Sequence, residues 1–291
     1  MNSTTPSIQA NNAFFYYADL ERATRFYGDI MGFTQVTDYG FARTFQIAAT
    51  SFLTLVDGNR PGVQHRLDEP KSVTLALVSQ QVEGWLDYLR SQQVTIRYDL
   101  NWKPDQPHDG FVALDPEGYF LEIERFNPHP ENEQILPTLA ALPAQAPALT
   151  SHRPSHLTVS ATILWLYYQD LATITPFYET TLSLPLRVRQ SFSDIYQSSP
   201  SGFLGPVLAS RGLHRYSEER CVTVSLITGE LNGWFDYLRQ CGNFPFRTEQ
   251  IHSSERYRAV VGYDPAGYFW EFTHFRDVME NERLIRALKS N

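Results

Sequence analysis

Asp115-Pro116-Glu117-Gly118-Tyr119-Phe120-Leu121-Glu122-Ile123 reads as a tight turn running into a strand that carries one acidic residue. The chain says it again at Asp264-Pro265-Ala266-Gly267-Tyr268-Phe269-Trp270-Glu271-Phe272, 149 positions later (264 − 115). A repeat at half the chain length points to internal duplication. The rest of the sequence agrees. Tyr16-Tyr17-x-Asp19-Leu20 matches Tyr167-Tyr168-x-Asp170-Leu171, and Phe52-Leu53 matches Phe203-Leu204. His65-Arg66 matches His214-Arg215, and Gly84-Trp85-x-Asp87-Tyr88-Leu89-Arg90 matches Gly233-Trp234-x-Asp236-Tyr237-Leu238-Arg239. Early matches are offset by 151 (167 − 16) and later ones by 149, which places a two-residue length change between Phe52 and His65. One domain is used twice.

Within each half the pattern of elements restarts. In the first, an aromatic strand over 12–17 leads to a helix capped by Asp19, whose apolar residues Leu20, Ala23, Phe26, Tyr27 and Ile30 recur at helical spacing. Strand-like runs follow at 34–39, 43–49 and 52–57. After a loop over 58–71, a second β-α-β-β-β set covers 73–125. The halves divide as 1–136 and 155–291, joined by a Pro/Ala-rich linker over 137–154, with a loose N-terminal arm and a closing helix over 278–289.

Four β-α-β-β-β modules in two pairs resemble the vicinal oxygen chelate superfamily of glyoxalase I, bleomycin-resistance proteins and extradiol dioxygenases. The residues that carry the resemblance are Asp19-Leu20 with Phe26-Tyr27 and Gly32-Phe33, and the Asp-Pro-x-Gly-x-x-x-Glu motifs ending at Glu122 and Glu271. The fold expected is α+β: tandem glyoxalase-like domains, each of two paired modules curling into a cupped mixed sheet. In that family a His, Gln or Glu on one first strand, a His on the next and the Glu of a last strand hold a divalent metal.

Here the matching positions are Asn12, Ile163, Val73 and Val222, and only Glu122 and Glu271 keep a strong ligand. The usual metal triad is therefore expected to be missing and no cofactor is assigned, with a divalent metal as the runner-up. The resemblance then implies ligand sequestration, as in bleomycin-resistance proteins, or metal-independent acid–base chemistry with Glu122 as the catalytic group. One rival is a metal-dependent lyase or ring-cleaving dioxygenase with ligands relocated to Asn12, Glu122, His65 or His108. Another is a structural or partner-binding protein.

Ligand-binding candidates are Asn12, Glu122, Glu124, His65, Trp102, His108, His214, Tyr257 and Glu271. Glu124 lies two residues beyond Glu122 on one strand face. Asn12 is read as the polar neighbour of Glu122, with Ile163 beside Glu271 making the other cup more apolar. The paired loop histidines stand where a ligand flap or an intermodule contact would sit.

Composition narrows the partners. A net charge of −8 argues against nucleic acid, which demands a basic face. No apolar run approaches the roughly 18–20 residues that span a bilayer, and the first residues lack a signal-peptide pattern. Cys221 and Cys241, without metal-ligand spacing, suit free thiols in a reduced compartment. A cytoplasmic protein with a small-molecule ligand, in a possible homodimer, is the expectation.

Overall fold

The computed structural model describes residues 5–100 and 103–289. The first module comprises β1 (Ala10–Tyr17), α1 (Leu20–Arg25), β2 (Thr34–Asp38), β3 (Ala42–Ala48) and β4 (Ser51–Asp57). The second has β5 (Val73–Val78), α2 (Val82–Ser91), β6 (Ile96–Tyr98), β7 (His108–Leu114) and β8 (Phe120–Phe126), followed by α3 (Ile135–Ala140). The third has β9 (Ala161–Tyr168), α4 (Leu171–Pro176), β10 (Leu186–Arg189), β11 (Asp194–Ser199) and β12 (Gly202–Leu208). The fourth has β13 (Val222–Ile227), α5 (Leu231–Cys241), β14 (His252–Ser253), β15 (Tyr257–Tyr263) and β16 (Phe269–Phe275), and α6 (Glu282–Lys289) closes the chain. Among the described residues no helix is long and apolar enough to cross a membrane.

These sixteen strands form two eight-stranded mixed sheets, and neither is confined to one half of the chain. The terminal sheet runs β14-β15-β16-β13-β1-β4-β3-β2 and joins the first module to the fourth. The central sheet runs β10-β11-β12-β9-β5-β8-β7-β6 and joins the second to the third. In each, two first strands lie antiparallel at the middle, β1 on β13 and β5 on β9.

Strand alternation sorts the side chains. Odd residues of β1 (Ala13, Phe15, Tyr17) and of β8 (Leu121, Ile123) join Val73, Val222, Trp85 and Trp234 in one continuous core. Even residues turn to the opposite face, the cup. Trp85 and Trp234, both fully buried, pack as core residues.

The duplicated turn joins the two sheets. Asp115 accepts hydrogen bonds from the hydroxyls of Tyr17 (2.6 Å) and Tyr27 (3.1 Å) and from the amides of Glu117 and Tyr119. The Tyr119 hydroxyl in turn accepts from the Tyr16 amide (2.9 Å) and donates to the Cys221 carbonyl (2.7 Å). Asp264 and Tyr268 repeat the arrangement with Tyr168, Trp270 and the Tyr167 amide. Buried donors that a short strand cannot satisfy are met this way.

Two expectations change. Residues 5–9 are docked and not loose: the Ser7 amide donates to Glu230 (2.6 Å), Trp234 Nε1 to the Ser7 carbonyl (3.1 Å), and the Gln9 amide to the Ile227 carbonyl. The Pro/Ala-rich 137–154 segment is packed too. Within it, buried Arg153 donates to the carbonyls of Met31 and Gln145 and lies over Phe33 and Trp85.

Candidate functional site

The terminal cup holds a cavity of about 680 Å³. Its floor is set by strand register. Asn12 stands opposite Ser225, and Ser225 beside Glu271; two residues along β1, Thr54 pairs with Phe14, Phe14 with Thr223 and Thr223 with Phe269. Polar side chains from the first module line this floor. The Asn12 amide nitrogen donates to Thr54 Oγ1 (3.0 Å), which shares a hydrogen bond with Thr44 Oγ1 (3.0 Å). Across the cup Tyr16 bonds Thr223 (2.8 Å), and Thr273 donates to Glu271 Oε1 (2.7 Å). Walls of Phe14, Tyr39, Phe41, Tyr257, Phe269 and Phe275 complete the cavity.

Glu271 is its chemically distinctive group. Burial raises its carboxyl from the ordinary 4.5 to about 7, and the Thr273 hydroxyl only partly opposes that shift. Arg60 and Arg247 also line the cavity. Arg60 lies 3.7 Å over the Phe41 ring, and Arg247 near Phe269. Neither guanidinium has an acidic partner or a side-chain hydrogen bond among the described residues.

The central cup is built on the same plan and filled. Where the terminal cup has Asn12, Thr37 and Thr44, positions 151 residues on carry Ile163, Val188 and Ile195. These pack with Ala76, Phe126 and Phe203 and with Ile135 and Leu139 of α3. Trp165 occupies the place of Phe14 and lies across Gly205, where even a Cβ would come within 2.1 Å of its ring. Glu122, Glu124 and His108 share this apolar enclosure. Burial raises Glu122 to about 7, and burial with the nearby Glu122 charge drives Glu124 well above the carboxylate range.

Comparison with known proteins fits this architecture. Residues 9–123 match the profile of the Glyoxalase/Bleomycin resistance protein/Dioxygenase superfamily. The match spans the first module and nearly all of the second. A putative dioxygenase from Bacillus subtilis shares the fold at 12% identity and a TM-score of 0.62, over 94% of this chain and 86% of that one. Glyoxalase I from Zea mays does so at 14% identity and 0.60, over 99% and 96%. At these identities the likeness is one of fold. No curated protein sequence matches the chain.

The metal donors usual in that superfamily have no equivalent set in either cup. The row that would supply them offers Asn12, Ser225 and Glu271 in the terminal cup, and Ile163, Ala76 and Glu122 in the central one. One carboxylate per row, with an amide and a hydroxyl at best, is a poor set for a transition metal. Val73 and Val222, the restart-strand positions matched from sequence, face the core on the other side of the sheet.

The pairing of modules corrects the sequence reading at one point. Asn12 shares a cup with Glu271 and Ile163 with Glu122, the reverse of the expected neighbours, because β1 pairs with β13 and β5 with β9. The polar, open cup is therefore the one with Glu271, and Glu122 sits in the apolar, filled one. Tyr257 lines the open cup.

His65 and His214 are intermodule wedges. His65 bonds Glu69 through Nδ1 (2.7 Å) and meets the edges of Tyr16 and Phe269; His214 packs on Phe120 and Tyr167. Burial lowers both: His214 falls to about 4, and at His65 the Glu69 carboxylate opposes the shift. Trp102 lies outside the described residues. Sequence reading missed Thr54, Thr223, Thr273, Arg60 and Arg247. Alternation along the strands could have placed Thr54 and Thr223 on a cup face, but only the fold brings the two arginines to its cavity.

Proposed function

We propose that the terminal cup binds a small, largely flat organic molecule and that Glu271 recognises it or transfers a proton to or from it, with no metal at the family's usual position. The observation that supports this most is the buried Glu271 carboxyl, raised to about 7, bordering a 680 Å³ aromatic-walled cavity. Pockets of roughly 300–1,000 Å³ with a few convergent polar groups suit small ligands. A carboxyl near neutrality is protonated or ionised with little bias, which suits it to general acid or base work. The guanidinia of Arg60 and Arg247 add a preference for a ligand with an anionic end.

Thermal-shift screening against small aromatic acids tests the reading, with Val261→Trp as a blocked-cup control and Glu271→Gln as the chemical probe. A stabilising compound that the wild type transforms and Glu271→Gln only binds supports acid–base catalysis. A compound bound and left unchanged by both supports sequestration. Stabilisation that persists in Val261→Trp overturns the assignment of the cup.

A further inference from the structure

Independently of the terminal cup, we infer that the central cup carries a divalent-metal site made by His108, Glu122 and Glu124. Glu122 and Glu124 project from one face of β8, and His108 comes from the neighbouring strand β7, two residues before Gly110, which pairs with Glu124. One donor atom from each of the three lies within 4.8 Å of the others. Bonds of about 2.0–2.2 Å to nitrogen and oxygen bridge donors up to about 4.4 Å apart, so small side-chain rotations close the set around one ion.

Three further observations point to a ligand. Glu124 is 1% exposed, and its Oε1 is buried without a hydrogen-bond partner. It pairs across the sheet with Val78, and Glu122 with Ala76, both members of the apolar cluster that fills the cup. Two carboxylates so close in an apolar enclosure repel when ionised, and a divalent cation would neutralise both.

The set is also confined to one cup. At the matching positions of the terminal cup, 149 residues on, stand Tyr257, Ala259 and Thr273 in place of His108, Gly110 and Glu124. Gly110 leaves the space that Glu124 uses: a Cβ there would lie 3.1 Å from the Glu124 Cβ and 2.9 Å from the Ile123 carbonyl oxygen. An imidazole with two carboxylates suits Zn²⁺, Mn²⁺ or Fe²⁺ better than Ca²⁺, which takes six to eight oxygens. His108 and Glu122 are only half-buried, so an ion can reach the set from solvent.

The test is calorimetric titration of the full chain with ZnCl₂ and with MnCl₂, after purification without chelator or metal-affinity tag and removal of bound ions. One ion per chain is expected, with affinity falling at least tenfold in His108→Ala and in Glu124→Gln and unchanged in Glu271→Gln. Glu124→Gln keeps the size and neutral packing of the protonated acid, so a folding defect is not expected to obscure the result; circular dichroism checks this. Absence of binding to the wild type at millimolar ion overturns the site. So does wild-type affinity in both variants, which would mark ions held elsewhere on the surface.

Discussion

Asn12 and Glu271, near opposite ends of the chain, face one cup with only Ser225 between them. The relationship follows from β1 pairing with β13, so that the first and last modules close a single sheet while the second and third form the other.

A half-chain ending at residue 136 is therefore expected not to fold as a monomer. It would carry β1 and β5 without β13 and β9, leaving two long central edges unpaired. Size exclusion and circular dichroism of residues 1–136 should show aggregation or self-association. A monomeric, cooperatively melting fragment would contradict the observed pairing.

Tyr119→Phe removes the acceptor of the buried Tyr16 amide and the donor to the Cys221 carbonyl. A loss of about 1–3 kcal/mol in denaturant unfolding is expected, the typical cost of an unsatisfied buried group. Tyr268→Phe should behave alike through the Tyr167 amide.

Glu271 makes stability depend on pH. Its folded-state value of about 7 lies above the ordinary 4.5, so between those limits the folded protein holds a proton that the unfolded chain releases. Stability should fall as pH rises through that window. At about 1.4 kcal/mol per pH unit the loss is at most about 3 kcal/mol, and the open cavity beside the carboxyl reduces it. Glu271→Gln should raise the melting temperature at pH 8, with little effect at pH 4.5. An equal effect at both would show that burial does not hold the proton.

Gly205→Ala would drive a methyl into the Trp165 ring, which occupies the central cup. A cost of about 1–3 kcal/mol is expected from overpacking. A neutral substitution would mean that Trp165 is free to move and the central cup is less filled than described.

The module pattern was legible because alternation and helical spacing recur four times, and the doubled Asp115 and Asp264 motifs fixed the boundaries. The pairing of modules was not. Any of the four first strands offers the same backbone donors and acceptors to a neighbour, and nothing local in Asn12 or Ile163 says which strand will lie beside it. That alone led Asn12 to be matched with Glu122. The filling of the central cup was half legible: Ile163 signalled it, but the placement of α3 and the Trp165–Gly205 contact depends on tertiary structure. The His108, Glu122 and Glu124 cluster combined three residues each singled out from sequence, and only the register of β7 on β8 showed that they meet.

The central proposal is that the terminal cup is the ligand site, and crystals soaked with a library of small aromatic carboxylates test it most directly. The expected result is density in the terminal cavity, with the ring among Phe14, Phe41 and Phe269, the anionic end toward Arg60 or Arg247, and a polar group at Glu271. Ligands found only in the central cup or on the outer surface, with the terminal cavity entered by none, would contradict it.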